Sequence, residues 1–494
     1  MRTLLAGLSA VVLAATIGWG VRALGFYQPG IGHSFQIWTL TCWALFVIAF
    51  ILLRRIPKQH VTAVVLVGAA LIGGAAIVGP PNTSTDSARY AWDGIVQNAG
   101  VSPYDHTPNS RATESLRTDW LFPATTTTSH GAETCSGTRV MTTHDYGTHE
   151  RLCTTINRPG VITIYPAAAE LYFAGVRAVV AVTAQYWPLQ AAGLVISLAT
   201  TLGLVALLRR RGLDPRWAAL WAWCPLVASE GITNSHVDLL AAGLAVLATA
   251  LVGSGRRWWG GIALGASIAT KLIPILAAPA LLRRQPWKVI VASVATFLVL
   301  YVPYILTTGP KVLGYLPGYL SEEGYNDGSR FALVFLFAPG AAATPVAALI
   351  LLIVGVIVWR TTDPAHPWLG QLVMIGAALL VISPRYPWYA LLLVPFVAMT
   401  GRWEWLGIAL ALSIRQFWPY ANVRAVTLTV ALALIIVMSI HRSGPGWWGR
   451  MRVRAREEWL LLRPRRRRAL ETRASLPAAR ASLPAAPVPA PGRG

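Results

Sequence analysis

Apolar runs of about eighteen residues, each long enough to cross the hydrocarbon core of a bilayer, recur along this chain with short basic clusters between them. Of its 494 residues 55% are hydrophobic and only 13% are charged. The pattern predicts an all-α polytopic membrane protein with about twelve spans, near 3–23, 36–53, 61–79, 187–208, 216–230, 237–253, 287–307, 343–360, 368–384, 388–400, 404–419 and 423–440. The first run carries no small-x-small cleavage site before Arg22 and is expected to be a span rather than a signal peptide.

Orientation follows from the positive charges. Arg54, Arg55 and Lys58, Arg209–Arg211, Arg256 and Arg257, Arg283, Arg284 and Lys288, Arg360 and Arg402 all belong on the cytoplasmic side. Residues 258–282 lie between two such clusters, are mostly apolar and hold Lys271 and Pro274 in their middle, so they are expected to form a half-helix hairpin entering from the inside. Residues 80–164 then become a large external loop, followed by an amphipathic stretch, 166–184, at the interface. The expected organisation is two N-terminal helices over 1–60, a catalytic membrane domain over 61–440 with its external loop at 80–186, and a tail over 441–494.

Of the net charge of +22, 10 comes from that tail, where 13 arginines, among them "RRRR" at Arg465–Arg468, are opposed only by Glu457, Glu458 and Glu471. A basic run beside a final span reads as an anchor on anionic lipid rather than a nucleic-acid site. The closing "ASLPAARASLPAAPVPAPGRG" reads as a disordered tail. Cys42 and Cys224 fall in apolar runs and are expected in the core; Cys135 and Cys153 share the external loop and are expected to form a disulfide.

Polar chemistry gathers on the outer face. "TDSARYAWDGIVQNAGVSPYD" (85–105), "SEGITNSHVD" (229–238), "GYLSEEGYNDGSRF" (318–331) and "SPRYPWY" (383–389) all fall there. Asp86, first after the third span, reads on its own as the cap of a helix starting at Ser87. Arg89 and Asp93 share a helical face with it and form a site wall or pair with each other at i,i+4. Tyr90 and Trp92 read as interfacial anchors or sugar-stacking rings. Glu230, Asn234, His236 and Asp238 cluster at a turn, where they suit hydrogen bonding to sugar hydroxyls, a hard cation, or plain loop capping. Lys271, a lysine buried in apolar sequence, reads as a ligand for lipid phosphate or as half of a structural salt bridge. Glu322, Glu323, Asn326, Asp327 and Arg330 lie on a loop that forms a lid or simply carries solvated charge, and His130, His144 and His149 read as surface residues.

The order D-x-x-R-Y-x-W-D-G-x-x-Q-x-A-G-x-x-P-Y (86–104), N-x-P-x-x-x-T-I-Y-P (157–166), "CPLVASEGITNSHVDLLAAGLAVL" (224–247), "LGASIATKLIPILAAPALLRR" (264–284) and "SPRYPWYALLLVP" (383–395) resembles actinobacterial GT-C-type membrane glycosyltransferases that use polyprenyl-phosphate sugars, over about residues 60–440. They include enzymes building phosphatidylinositol mannosides, lipomannan and arabinan. The resemblance implies a GT-C fold and an inverting transfer of a sugar, most simply mannose, to a glycolipid or polysaccharide acceptor on the outer face of the plasma membrane. It assigns Asp86 as catalytic base; together with the reading of the residues, the substrate-binding candidates are Arg89, Asp93, Glu230, Asn234, His236, Asp238, Lys271, Glu322, Asn326, Arg385 and Tyr386. It implies no metal and no cofactor beyond the polyprenyl-phosphate sugar. Tyr386 stands where many relatives carry His before P-W-Y, and Arg385 is the cation at hand to replace it. Arabinofuranosyl transfer is the alternative chemistry. A lipid or sugar transporter is the alternative class, and it would carry more ionisable groups at mid-membrane than Lys271.

Overall fold

The computed structural model describes residues 1–28, 31–129 and 131–443. The chain divides into Met1–Leu434 and Ile435–Gly494; the described part of the second unit is helical and ends at Ser443. The expectations for the Arg465–Arg468 run, the Pro/Ala-rich tail and His130 lie outside the described residues.

The chain opens with α1 (Arg2–Ala23), α2 (Gly32–Leu53) and α3 (Lys58–Ala76). The outer segment follows, with α4 (Asp86–Asn98), two small antiparallel hairpins and α5 (Ala167–Ala178). Strands β1 (Thr126–Thr127) and β2 (Glu133–Thr134) form one hairpin; β3 (Met141–His144) and β4 (Arg151–Thr154) form the other, with Thr142 opposite Cys153. After α6 (Trp187–Arg210) and the single turn α7 (Ala219–Ala222) come α8 (Asp238–Gly253), α9 (Arg257–Thr270), the turn α10 (Ala278–Leu281) and α11 (Pro286–Thr308). The chain continues through α12 (Leu316–Glu322), α13 (Ala343–Thr361), α14 (Trp368–Ile382), α15 (Val394–Thr400), α16 (Leu406–Phe417) and α17 (Ala421–Ser443).

Among the described residues seven helices are long and apolar enough to cross a membrane; an eighth span arises if Val227–Thr233 and Asp238–Gly253, bent by 110° against each other, are one broken crossing. The protein is therefore membrane-embedded. The remaining expected spans are apolar but short: α14 has 15 residues, α15 has 7 and α16 has 12. A 15-residue helix rises only about 22 Å, less than a hydrocarbon core of about 30 Å. Pro225, Pro387 and Pro395 stand at the breaks, because proline lacks the amide a continuous helix needs.

The segment 258–282 turns back on itself. Helix α9 stops at Lys271, whose backbone is extended (φ −151°, ψ 138°), and a 3₁₀ turn over Ile273–Ala277 leads into α10. The Arg257 guanidinium donates to the Arg284 carbonyl, so both ends of the hairpin meet. Helix α9 packs between α8 and α11. A Cβ on Gly265 would lie 2.4 Å from the Ser293 carbonyl oxygen of α11, so only glycine permits that approach.

In the outer segment α4 packs on α5, so the amphipathic stretch 166–184 has one face in a folded layer. Ala169, Glu170 and Phe173 of α5 are buried while Leu171 faces out. Tyr90 stacks on Phe173 with ring centroids 4.3 Å apart, and Trp92 packs edge-on to Phe122. These two aromatics are core residues, not anchors or sugar platforms, because α4 is covered on nearly every side. Cys135 and Cys153 are joined, with Cα atoms 5.4 Å apart. Cys42 and Cys224 are buried free thiols; His144 and His149 are exposed.

Candidate active site

A cavity of about 890 Å³ opens between the start of α4, residues 157–166, the tip of the 258–282 hairpin, the 315–330 loop and residues 384–389. Its lining is two-faced. Asp86, Asn157, Arg158, Lys271, Arg385 and Arg415 bring charge and hydrogen-bonding capacity, whereas Leu272, Ile273, Ile275, Leu276, Leu379 and Ile382 form an apolar wall.

Asp86 is the first residue of α4, where the helix dipole favours a carboxylate. Its side chain does not cap the helix; Oδ1 accepts a hydrogen bond from Asn157 Nδ2, and Oδ2 lies 3.6 Å from His236 Nδ1. Asn157 was the missing partner in the sequence reading. It stands inside the N-x-P pattern, but its separation from Asp86 along the chain hid the contact.

The Glu230–Asp238 turn divides among several tasks. A π-helix over Val227–Thr233 and a left-handed Ser235 (φ 58°) bend the chain sharply. Asn234 is fully buried and is a clamp rather than a substrate ligand: Oδ1 accepts from the amides of Asn82 and Thr83 at 3.0 Å each, and Nδ2 donates to Thr83 Oγ1. It thereby ties the turn to the loop that delivers Asp86. His236 is buried, with Nε2 3.3 Å from Glu230 Oε2, and its ring stacks on Trp388. Asp238 accepts from Lys271 Nζ at 3.0 Å through Oδ2. Lys271 reaches the cavity between the rings of Tyr165 and Tyr389.

Arg89 and Asp93 pair with each other at 2.9 Å and 3.0 Å. Arg89 still borders the cavity, but Asp93, 1% exposed, does not. Behind it Glu170 accepts from Thr163 Oγ1 at 2.6 Å and Gln97 Nε2 at 2.8 Å, and Gln97 accepts from the Tyr304 hydroxyl. Burial, with the nearby Asp93 charge adding to it, holds the Glu170 carboxyl well above the ordinary range; burial also raises Asp93, against the pull of Arg89.

The 309–342 loop covers one side of the cavity. Arg158 pairs with Glu322 at 3.1 Å, and Glu322 accepts from the Tyr315 hydroxyl. Glu322 and Asn326 are exposed and outside the cavity lining. Asp327 is likewise exposed. Glu323 and Arg330, expected on a lid or as solvated loop charge, are buried and ion-paired, with Arg330 packed against the rings of Tyr325 and Tyr389. Arg385 Nε lies 4.0 Å from the same Glu323. Arg415, in the last turn of α16, has no carboxylate at ion-pair distance among the described residues. Sequence reading missed it, although the rule that singled out Lys271, an ionisable residue inside an apolar run, applied to it equally. Tyr386 lines the cavity and stacks on Trp388 with centroids 4.4 Å apart.

No curated protein and no solved structure matches this chain. Residues 164–384 match the model of Glycosyltransferase family 87, a family of GT-C-type membrane glycosyltransferases. The matched stretch contains the Glu230–Asp238 turn, Lys271 and Arg330; Asp86, Arg385 and Arg415 lie outside it. The match supports a glycosyltransferase activity.

Proposed function

We propose that the protein transfers a sugar, mannose in the first instance, from a polyprenyl phosphate to a cell-envelope glycolipid or polysaccharide on the outer face of the plasma membrane. The observation that carries this reading is the composition of one cavity: a carboxylate, Asp86, stands across from incompletely neutralised arginines, Arg385 and Arg415, and an apolar wall runs beside them. An amphiphilic donor with an anionic link between lipid and sugar presents the complementary sequence of surfaces. Mannose rather than arabinofuranose is chosen on the sequence resemblance alone.

Asp86 accepts the proton of the acceptor hydroxyl as its oxygen attacks the anomeric carbon. The bond from that carbon to the phosphate oxygen breaks, and its electron pair leaves with the phosphate. Arg385 and Arg415 hold the growing phosphate charge through charge-assisted hydrogen bonds. One carboxylate suffices, and the configuration inverts. No metal or cofactor has a part in this scheme. In the cell the basic tail rests on anionic lipid. The test is direct: purified protein is offered polyprenyl phosphate carrying labelled mannose or labelled arabinose with a mixed acceptor extract. Transfer of mannose is expected; transfer of arabinose alone replaces the donor assignment, and transfer of neither removes it.

A further inference from the structure

Three flat side chains are stacked from the buried turn outward into the cavity. His236 lies against Trp388 with ring centroids 3.9 Å apart and an interplanar angle of 22°, and Trp388 lies against Tyr386 with centroids 4.4 Å apart and an angle of 7°. Trp388 and Tyr386 both line the cavity. Pro387 between them opens the 3₁₀ turn Pro387–Leu392, where its fixed φ suits a helix start, so backbone and stack together set the Tyr386 ring. Trp388 is the only aromatic ring stacked on Tyr386 among the described residues. The Tyr386 hydroxyl is uncommitted as well. Tyr315 donates to Glu322, and the Tyr319 and Tyr389 hydroxyls pair with each other at 2.7 Å, whereas the Tyr386 hydroxyl has no hydrogen-bond partner among the described residues.

The ring stands along the path of the transfer. Asp86 lies within electrostatic reach of Tyr386 from the base end of the cavity, and Arg385 from the phosphate end, with Arg158 and Glu323 also near. A sugar in transit spans these two ends, because its anomeric carbon is joined to the phosphate oxygen and is attacked by the hydroxyl that Asp86 serves. A phenol, with an ordinary pKa of about 10, brings no negative or positive charge to that phosphate at neutral pH. It offers instead a ring face whose quadrupole is negative and attracts polarised C–H bonds, and a hydroxyl that both donates and accepts. A pyranose chair lays a flat patch of axial C–H bonds on such a face and keeps its hydroxyls at the edge. A puckered five-membered ring covers less of it.

We propose that Tyr386 is the residue that selects the transferred sugar: its ring face and free hydroxyl bind a hexopyranose carried on the lipid phosphate and favour it over a pentofuranose. The inference rests on the reading of this cavity as a site of sugar transfer from a lipid phosphate. Within one donor the contacts are then divided, with Tyr386 on the sugar and Arg385 and Arg415 on the phosphate. Trp388 and His236 hold the platform from behind, and both are nearly inaccessible, at 7% and 1% exposed, so the ring cannot sink away from a ligand pressed on it.

The test is equilibrium binding of three lipids to full-length protein in detergent: polyprenyl phosphate carrying mannose, the same lipid carrying arabinofuranose, and polyprenyl phosphate with no sugar. Native protein is compared with Tyr386→Leu and Tyr386→Phe. Tyr386→Leu is expected to raise the Kd of the mannose lipid about tenfold, the scale of one ring contact and one neutral hydrogen bond together. The Kd of the arabinofuranose lipid is expected to stay within about threefold of native, and that of the bare lipid phosphate within about twofold. Tyr386→Phe keeps the ring and loses the hydroxyl, so it serves if the leucine variant does not fold, and it is expected to weaken the mannose lipid about threefold. An unchanged Kd for the mannose lipid in either variant overturns the proposal. So does a weakening shared equally with the bare lipid phosphate or the arabinofuranose lipid, or native protein that binds the arabinofuranose lipid more tightly than the mannose lipid. If native protein binds all three lipids and the variants alter none, only the role of Tyr386 fails; if native protein binds none of them, the reading of the cavity fails with it.

Discussion

Asp238 Oδ2 holds Lys271 Nζ at 3.0 Å, deep in the hairpin tip and at the edge of the cavity. The pair gives Lys271 a structural reason to exist where sequence alone suggested a phosphate ligand. Removing one member of such a pair strands the other charge in a poorly solvated site. Lys271→Met is therefore expected to destabilise the protein by about 3 kcal/mol, while Lys271→Met with Asp238→Leu restores most of the loss. Thermal unfolding in one detergent checks this, and the double variant is expected to keep a native donor KM. A donor KM raised tenfold in a stable double variant returns the phosphate to Lys271.

Arg385 and Arg415 carry the phosphate in this account. Each alanine variant is expected to raise the donor KM at least about tenfold, the scale of one charge-assisted hydrogen bond, and to leave the acceptor KM unchanged. Steady-state titration of each substrate in turn distinguishes the outcomes. Equal effects on both substrates would mean a general collapse of the cavity.

The buried Glu170 gives the outer layer a pH dependence. A carboxyl whose folded-state pKa is raised holds its proton more tightly folded than unfolded. Its contribution to stability is full below the unfolded value of about 4.3 and is lost as pH rises through the folded value. Thermal stability is thus expected to decline as pH rises from the unfolded value toward the raised folded one, and Glu170→Gln is expected to flatten the decline. An unchanged slope in the variant contradicts it.

Much of this was legible in the sequence because periodicity and charge act locally. The long helices follow from apolar length, and the break at Lys271 from a cation and Pro274 within an apolar run. Burial of α4 was not legible, since Arg89 and Asp93 at i,i+4 serve a pair or a site wall equally well, and only the packing of α5 decides for the pair. The inward fold of the 309–342 loop was hidden for the same reason: nothing in "SEEGYNDGSR" distinguishes the exposed Glu322 from the buried Glu323. Short spans resisted as well, because the residues of α14, α15 and α16 are as apolar as those of a full crossing and only their lengths differ.

Asp86 as the base is the central claim, and kcat of Asp86→Asn at saturating donor and acceptor tests it most directly. Asparagine keeps the size of the side chain and suits a helix start as well as aspartate does, so the protein should fold. The account expects kcat to fall by roughly 10² to 10⁴ with native thermal stability. A folded Asp86→Asn with near-native kcat would contradict it.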